Sequence, residues 1–403
     1  MKLGTIGFVG ERLREGREAR GFTAAALAVP LGVTPAAVAQ YEKNLQSPRP
    51  EVMGRIVDVL QLPLAFFLRR VSRDEGVVYW RSLASSTKLA QTVVARRLGW
   101  VQDIASVLRE HVDFAQLDLP DFDLPRDPLG ITEERIERLA ALTRRAWGIG
   151  DGPIPNVTRI LEERGIVVAR DDLRAATLDA LSKWCPAEIR AYCLVSSGRE
   201  SAARSRLNLL HELGHLVLHR HLDRWHLQNK RLHSLIESQA FMFAGAFALP
   251  AEAFAGDVYS LSLDSFVSLK SKWKFSVGMM LKRCETLSIG SAETLQRLWR
   301  NLSSRGWRLD EPLDDELPHE PPLALAGAIR FLVERGLLSG EQLSATCALP
   351  LCDIEELAAL ERGTLDPSLR GRIATMPRSD AQDTRGSGCA DSQRVLPFRR
   401  NSR

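Results

Sequence analysis

Six of the chain's eight histidines fall within one short stretch, between His211 and His233. The first two stand four residues apart, with Glu212 beside His211, inside a run that is rich in leucine and valine. Four residues correspond to about one turn of an α-helix, so the imidazoles of His211 and His215 share one face if this run is helical. A buried helix that carries two imidazoles and a carboxylate needs partners for them. This stretch therefore restricts the fold to one that closes around a polar centre.

The pattern of two histidines with an intervening glutamate is typical of a zinc site. Imidazoles at positions i and i+4 of a helix can bind one Zn²⁺, and the glutamate beside them can accept a proton from a water that the metal activates. So short a motif also occurs by chance on solvated helices, but apolar residues surround this one. We therefore predict that His211 and His215 bind Zn²⁺, or another divalent metal, and that Glu212 is the catalytic base.

A third ligand is needed, and two histidines that follow the motif are candidates. His221 stands ten residues after His211, a spacing that requires a glycine where this chain has Leu218. His219 lies one turn beyond His215 and rotates away from the shared face. We expect His219 to pack beside a ligand rather than bind the metal.

The more favourable third ligand is Glu237. It lies on the next predicted helix, at about residues 234–248, after the motif helix at about 201–220. A carboxylate from that helix would complete a site of two histidines and one glutamate with a position open for water. The alternative is that Glu237 is an ordinary surface carboxylate.

Two segments of the chain resemble the ImmA/IrrE metallopeptidase family. They are Arg206–His219, and Glu237–Ala244 followed by Leu249-Pro250. The family typically shows E-x-x-A-N-x-F-A before L-x-P, and Phe241 stands here where asparagine is usual. Further similar pieces occur in order from about residue 5 to residue 320.

This resemblance implies a zincin-like fold with Glu237 as the third metal ligand. Members of the family cleave helix-turn-helix repressors, often after stress or DNA damage. The resemblance therefore implies that the substrate is a repressor or antitoxin protein.

Residues 23–42 predict two short helices joined by a tight turn. Thr23 can cap the first helix, Gly32 supplies the turn, and Thr34 followed by Pro35 starts the second helix. The segment resembles helix-turn-helix proteins of the XRE/Cro class, whose second helix lies in the major groove of DNA. The resemblance implies double-stranded DNA as a partner. The candidate DNA contacts are Thr34, Ala36, Ala37, Gln40 and Lys43.

The distribution of charge along the chain favours DNA binding by the N-terminal segment. Residues 1–75 carry 11 Lys and Arg against 8 Asp and Glu, so most of the chain's net charge of +4 lies there. Ala36 and Ala37 leave few polar groups for base edges. The alternative is a helix-turn-helix that serves only for dimerisation or for docking a protein.

Composition sets the remaining limits. No apolar run approaches the roughly 18 residues that a membrane span requires, and the six cysteines form no C-x-x-C pair. We therefore predict a cytoplasmic protein with free thiols and no membrane partner.

The predicted fold is mainly α, with an N-terminal all-α helix-turn-helix domain and a small α+β metallopeptidase domain. The latter contains predicted strands at 166–169 and 189–195, and the acidic, proline-rich residues 310–322 are predicted to be a linker. We divide the chain into five parts. The helix-turn-helix domain covers residues 1–70, a helical connector covers 71–130, and the metallopeptidase domain covers 131–308. A small helical appendage at 309–376 and a tail expected to be disordered at 377–403 follow.

Two functional hypotheses follow. The first is a DNA-binding zinc metalloendopeptidase that cleaves a repressor or antitoxin, linking proteolysis to transcription control. The second is a transcriptional regulator or antitoxin whose protease-like domain acts as a sensor with little or no turnover. Either protein could act as a homodimer.

Overall fold

The computed structural model describes residues 4–70, 76–80, 88–172, 180–198 and 200–366. The described part is mainly helical and contains one small sheet. The predicted fold class, mainly α with a small α+β domain, is therefore confirmed.

Five helices form the N-terminal part: α1 (Gly10–Ala19), α2 (Ala24–Leu31), α3 (Pro35–Glu42), α4 (Pro50–Leu60) and α5 (Leu64–Leu68). The predicted caps are present, because the Thr23 hydroxyl accepts from the Ala26 N–H and the Thr34 hydroxyl accepts from the Ala37 N–H. Gly32 ends α2 in the left-handed region at φ 62°, where a side chain would be strained. α2 and α3 consequently meet at 108°.

The sheet is built from β1 (Val77–Trp80), β2 (Val167–Asp171), β3 (Ala180–Cys185) and β4 (Arg190–Ser196). Its order is β1-β3-β4-β2, with β2 parallel to β4 and the other neighbours antiparallel. The helices α6 (Lys88–Arg109), α7 (Glu133–Trp147) and α8 (Val157–Glu163) lie between β1 and β2 in the chain. Strand β3 was not predicted, because Ser182 and Lys183 break its apolar pattern and β4 provides most of its pairing.

Seven helices follow the sheet: α9 (Ala202–Leu218), α10 (Arg224–Gln228), α11 (Lys230–Ala248), α12 (Ala251–Asp257), α13 (Leu263–Trp273), α14 (Val277–Thr286) and α15 (Ala292–Ser304). α9 packs against β3, β4 and α11, and α11 also packs against α7. Gly214 allows the close approach of α9 and α11. A Cβ atom at this position would lie 2.9 Å from the carbonyl oxygen of Ala240 on α11.

The segment predicted to be a linker at residues 310–322 is held in place by buried ion pairs. The Glu311 carboxylate accepts from the Val277 N–H at 2.7 Å and from the Lys270 ammonium at 2.9 Å. Glu320 is ion-paired with Arg206 on α9. These contacts were not predicted, because the partners of the carboxylates are distant in sequence.

The last described helices are α16 (Ala324–Glu334), α17 (Gly340–Cys347) and α18 (Leu351–Leu357). They fall in the predicted C-terminal appendage, and residues 367–403 lie outside the described part. Within the described residues, no single helix has both the length and the apolar character needed to cross a membrane. Only α2 and α3, taken together as a bent pair, pass that test.

The described residues divide into two compact units. The first unit holds residues 4–70, 99–114 and 322–366, and the second unit holds the other described residues. The first unit therefore combines segments that are far apart in the chain, and the second combines the residues on either side of 99–114. The linear domain boundaries given above remain a prediction.

Candidate metal centre

Three of the predicted site residues converge in the second unit. His211, His215 and Glu237 each place one ligand atom within 4.8 Å of the others. The Nε2 atoms of the two histidines are 3.1 Å apart. The Glu237 oxygens lie 3.3 Å from His211 Nε2 and 3.2 Å from His215 Nε2. Two nitrogen donors and one carboxylate at these separations can hold a divalent cation.

Local structure explains how the donors meet. The two histidines are one turn apart on α9, whose first turn is capped by the Ser201 hydroxyl, which accepts from the Arg204 N–H. Glu237 is on α11, which Gly214 allows to approach α9 closely. Both imidazoles are fully buried, whereas the Glu237 side chain is partly exposed. The centre therefore has one side that is open toward solvent.

A chain of hydrogen bonds continues from His215 away from the ligand atoms. The Gln239 amide nitrogen donates to the carbonyl oxygens of Pro128 and Ile131, at 2.7 and 2.9 Å. Its oxygen therefore faces His219 Nε2, 3.1 Å away, and accepts from it. His219 Nδ1 is then an acceptor and lies 3.1 Å from His215 Nδ1.

This hydrogen-bond accounting fixes the tautomer of His215. Its Nδ1–H donates to His219, so its Nε2 carries the lone pair that faces Glu237. Burial lowers the pKa of His215 to about 3 and that of His219 well below the ordinary value of 6.5, so both rings are neutral at neutral pH. A neutral imidazole with a free Nε2 lone pair is the form that binds a metal.

Glu212 lies next to His211 on α9 and is fully buried. Burial, followed by the charge of Glu212, raises the pKa of Cys193 on β4 well above its ordinary value. The Glu212 carboxylate is thus near enough to Cys193 for its charge to act on that thiol. Its role as a general base remains a prediction.

Other histidines of the cluster are placed differently. His221 is exposed, and its Nε2 lies 2.8 Å from the Pro125 carbonyl oxygen. It does not belong to the group of ligand atoms around His211. His233, which the motif does not include, has its Nε2 3.9 Å from a Glu237 oxygen.

Phe241 occupies the position where the sequence pattern leads one to expect asparagine. Its ring centroid lies 4.2 Å from that of His211, at an interplanar angle of 49°. Phe241 and Leu207 also line a cavity of about 650 Å³, whose other walls include Trp299 and Leu302. The cavity could not be predicted from the sequence, because its walls come from helices distant in the chain.

The predicted DNA contacts lie on α3 and at its two ends. Thr34, Ala36, Gln40 and Lys43 are exposed, and Ala37 is half-buried. Val38 and Tyr41, on the opposite face of α3, are buried in the first unit. This placement leaves one face of α3 accessible, and its contact with DNA remains a prediction.

Comparison with known families agrees with this description. Residues 161–285 match the family model of the IrrE N-terminal-like domain, and residues 9–65 match that of a helix-turn-helix domain. A search of curated proteins finds no match. The chain therefore carries an N-terminal helix-turn-helix domain and, C-terminal to it, an IrrE N-terminal-like domain of the ImmA/IrrE type.

Proposed function

We propose that this protein is a DNA-binding zinc metalloendopeptidase that cleaves a repressor or antitoxin protein. The observation that carries the proposal is the convergence of His211, His215 and Glu237 within 4.8 Å, with Glu212 adjacent on the same helix. A helix-turn-helix domain in the same chain supports DNA as a partner. The substrate class is supported by the resemblance to the ImmA/IrrE family.

His211, His215 and Glu237 would hold the metal, either Zn²⁺ or another divalent ion. When bound, zinc supplies Lewis acidity and lowers the pKa of water toward neutrality. The neutral tautomer of His215 presents Nε2, and the carboxylate of Glu237 supplies the negative charge. The residues that are present thus match the donor set of a catalytic zinc site.

Glu212 would move the protons. Its buried carboxylate would accept a proton from the attacking water and deliver it to the nitrogen of the departing peptide. The cavity beside His211 provides room for side chains of the substrate, with Phe241 and Trp299 as apolar walls. The cytoplasmic location and a homodimeric state remain part of the proposal.

The test combines metal analysis with cleavage. The intact chain is purified without chelator, its zinc content is measured, and it is incubated with helix-turn-helix proteins of the XRE/Cro class as candidate substrates. We expect about one zinc per chain and cleavage of one such protein. Glu212→Gln should keep the zinc and lose cleavage, whereas His215→Ala should lose both.

Retained cleavage by Glu212→Gln would show that another group is the base. A chain that binds DNA tightly, contains no zinc and cleaves none of these proteins would favour the second hypothesis, a regulator with a sensing domain. Exposed His221 offers the matched control, because His221→Ala should leave zinc content and cleavage unchanged.

A further inference from the structure

The three C-terminal helices repeat the arrangement of the first three. α1 ends before Arg20 and a left-handed Gly21 (φ 75°), and α16 ends before Arg335 and a left-handed Gly336 (φ 64°). The Arg-Gly pair ends both helices with the same backbone hydrogen bonds. The backbone N–H of Arg20 donates to the carbonyl oxygen of Gly16, and that of Arg335 donates to the carbonyl oxygen of Phe331. The first and last segments of the first unit therefore begin alike.

The second helix of each set has the same length and the same caps. α2 and α17 both contain eight residues. A hydroxyl caps each start, from Thr23 and Ser339, and a left-handed residue ends each helix, Gly32 at φ 62° and Ala348 at φ 54°. A left-handed conformation is unusual for alanine. Its presence at Ala348, where the first set has the left-handed Gly32, indicates that the two turns have the same geometry.

The buried positions also correspond. Leu27 on α2 and Leu343 on α17 are fully buried, as are Val38 on α3 and Ile354 on α18. The two residues of each pair are separated by the same number of residues in the chain, and they occupy the same positions relative to the helix caps. The apolar pattern is therefore repeated together with the backbone.

The spacing that follows the third helix is repeated as well. Glu42-Lys43-Asn44 precedes Pro48, and Glu361-Arg362-Gly363 precedes Pro367 with the same spacing. Asn44 and Gly363 are both left-handed, at φ 56° and 79°. In the C-terminal set this segment comes after an extra turn at Ala358-Ala359. We call residues 324–365 the second helix-turn-helix module and residues 10–48 the first.

The two modules differ in the face that would read DNA. α3 leaves Ala36 and Gln40 exposed, whereas α18 carries the acidic residues Asp353, Glu355 and Glu356, of which the first two are buried. Carboxylates repel the phosphates of DNA, and buried side chains cannot reach base edges. α18 therefore cannot serve as a DNA-reading helix in this arrangement.

The face of α18 is turned onto the first module instead. Asp353, which corresponds to Ala37 of α3, accepts two hydrogen bonds from the Arg20 guanidinium, at 2.8 and 2.6 Å. The same guanidinium donates to the carbonyl oxygens of Leu60 and Gln61. Outside the first module, the guanidinium of Arg69, which follows α5, donates to the carbonyl oxygen of Thr346 on α17.

We propose that residues 324–365 are a degenerate second helix-turn-helix module whose recognition helix binds the first module instead of DNA. A planar guanidinium bound by two carboxylate oxygens is a specific, directional contact. The surface formed by α17 and α18 thus fits a helix-turn-helix fold as its partner, here within the same chain. Each chain then offers one DNA-reading helix rather than two.

The docking is tested with the full chain by alkylation of Cys347. This thiol is 3% exposed on α17, and its neighbours in the first unit include Asp103 and Arg69. Cys352 is changed to Ser so that the exposed thiol does not interfere. Alkylation of Cys347 is then measured by peptide mass spectrometry. Asp353→Asn should accelerate this alkylation on the order of tenfold, and Arg20→Lys should accelerate it less.

The matched control is Glu361→Gln, an exposed carboxylate of the same module, which should leave the rate unchanged. The exchange of charges, Arg20→Asp with Asp353→Arg, should recover part of the protection that either single change removes. Unchanged alkylation in both Asp353→Asn and Arg20→Lys would overturn the docking. If Asp353→Asn does not fold, Arg20→Lys and the charge exchange still decide.

A second measurement separates the DNA-reading roles and rests on the proposed DNA binding. Binding to a random-sequence duplex is compared between Lys43→Ala in the first module and Arg362→Ala at the corresponding position of the second, both exposed. Lys43→Ala should weaken binding severalfold and reduce its salt dependence, and Arg362→Ala should change it less than about twofold. Equal losses from both changes would overturn the proposal. If the unaltered chain binds no DNA, the proposed function loses its DNA partner, while the alkylation experiment still tests the docking.

Discussion

The Nδ1 atoms of His215 and His219 lie 3.1 Å apart, and this hydrogen bond holds His215 in the tautomer suited to metal binding. Gln239 fixes His219 in turn, because the amide nitrogen of Gln239 is committed to two backbone carbonyls. Two groups outside the candidate metal-binding motif, a histidine one turn later and an amide on the neighbouring helix, thus hold the ring of His215 in place.

Replacing His219 should weaken metal binding without removing a ligand. We expect His219→Ala to lower the zinc affinity about 10- to 100-fold, the usual effect of removing a partner that orients a ligating histidine. Competition with a chromophoric chelator measures the affinity. His221→Ala is the control, since His221 is exposed and bonded to the Pro125 carbonyl oxygen. Equal affinities of His219→Ala and the parent chain would contradict this role.

Gly214→Ala should force α9 and α11 apart. The added Cβ would stand 2.9 Å from the Ala240 carbonyl oxygen, which is backbone and cannot move alone. We expect a loss of about 1–3 kcal/mol in the free energy of unfolding, together with weaker zinc binding because Glu237 shifts. Denaturant unfolding and zinc titration measure the two effects.

The control for this change is Gly245→Ala on α11, where an added Cβ would meet no atom within 4 Å. Alanine is favoured over glycine inside helices by about 0.5–1 kcal/mol, so this variant should be as stable as the parent chain or more stable. If Gly214→Ala proves equally neutral, the close approach of the two helices does not depend on the missing side chain.

Glu320→Ala should destabilise the second unit strongly, although Glu320 lies in an irregular segment at the end of that unit. Its carboxylate accepts from the Val157 N–H at 2.7 Å and from the Thr158 N–H at 3.1 Å, and it pairs with the buried Arg206. Removing one partner of a buried ion pair costs about 3–5 kcal/mol, because the other charge is left buried. Urea unfolding measures this loss, and the exposed Glu316→Ala in the same segment should cost less than about 0.5 kcal/mol.

Stability at alkaline pH should depend on Cys347. Burial raises the pKa of this thiol from 9.0 to about 12. The unfolded chain then loses the proton near pH 9 while the folded chain keeps it. The contribution of the protonated Cys347 thiol to the free energy of unfolding is therefore complete below pH 9. It is lost as pH rises toward the folded pKa, at up to about 1.4 kcal/mol per pH unit.

Cys347→Ala should therefore flatten the decline in unfolding free energy above pH 9. The small cavity left by the thiol shifts the whole curve, whereas removal of the titrating group changes its slope. Urea unfolding of both chains at several values between pH 8 and 10.5 separates the two effects. Parallel curves for the parent and the variant would contradict the assigned pKa.

Local features of the chain were predictable from the sequence because they depend on residues one helical turn apart. The shared face of His211 and His215 follows from helical periodicity, and Thr23 and Thr34 cap their helices through their own backbone neighbours. The start of α11 was less predictable. It lies at Lys230, earlier than expected, because Asn229 caps it and the histidine-rich segment shows no clear helical start signal.

Helical periodicity and capping residues were enough to predict a buried helix with two imidazoles and a glutamate, and a capped helix pair with a tight turn near the N-terminus. The groups that complete these elements come together through long-range packing: β3 beside β4, Gln239 behind His219, Glu320 on Arg206, and Asp353 on Arg20. Periodicity and caps are properties of neighbouring residues, whereas each of these pairs joins segments that meet only when the core is buried, and the chain order does not specify which partner a buried charge or amide will find.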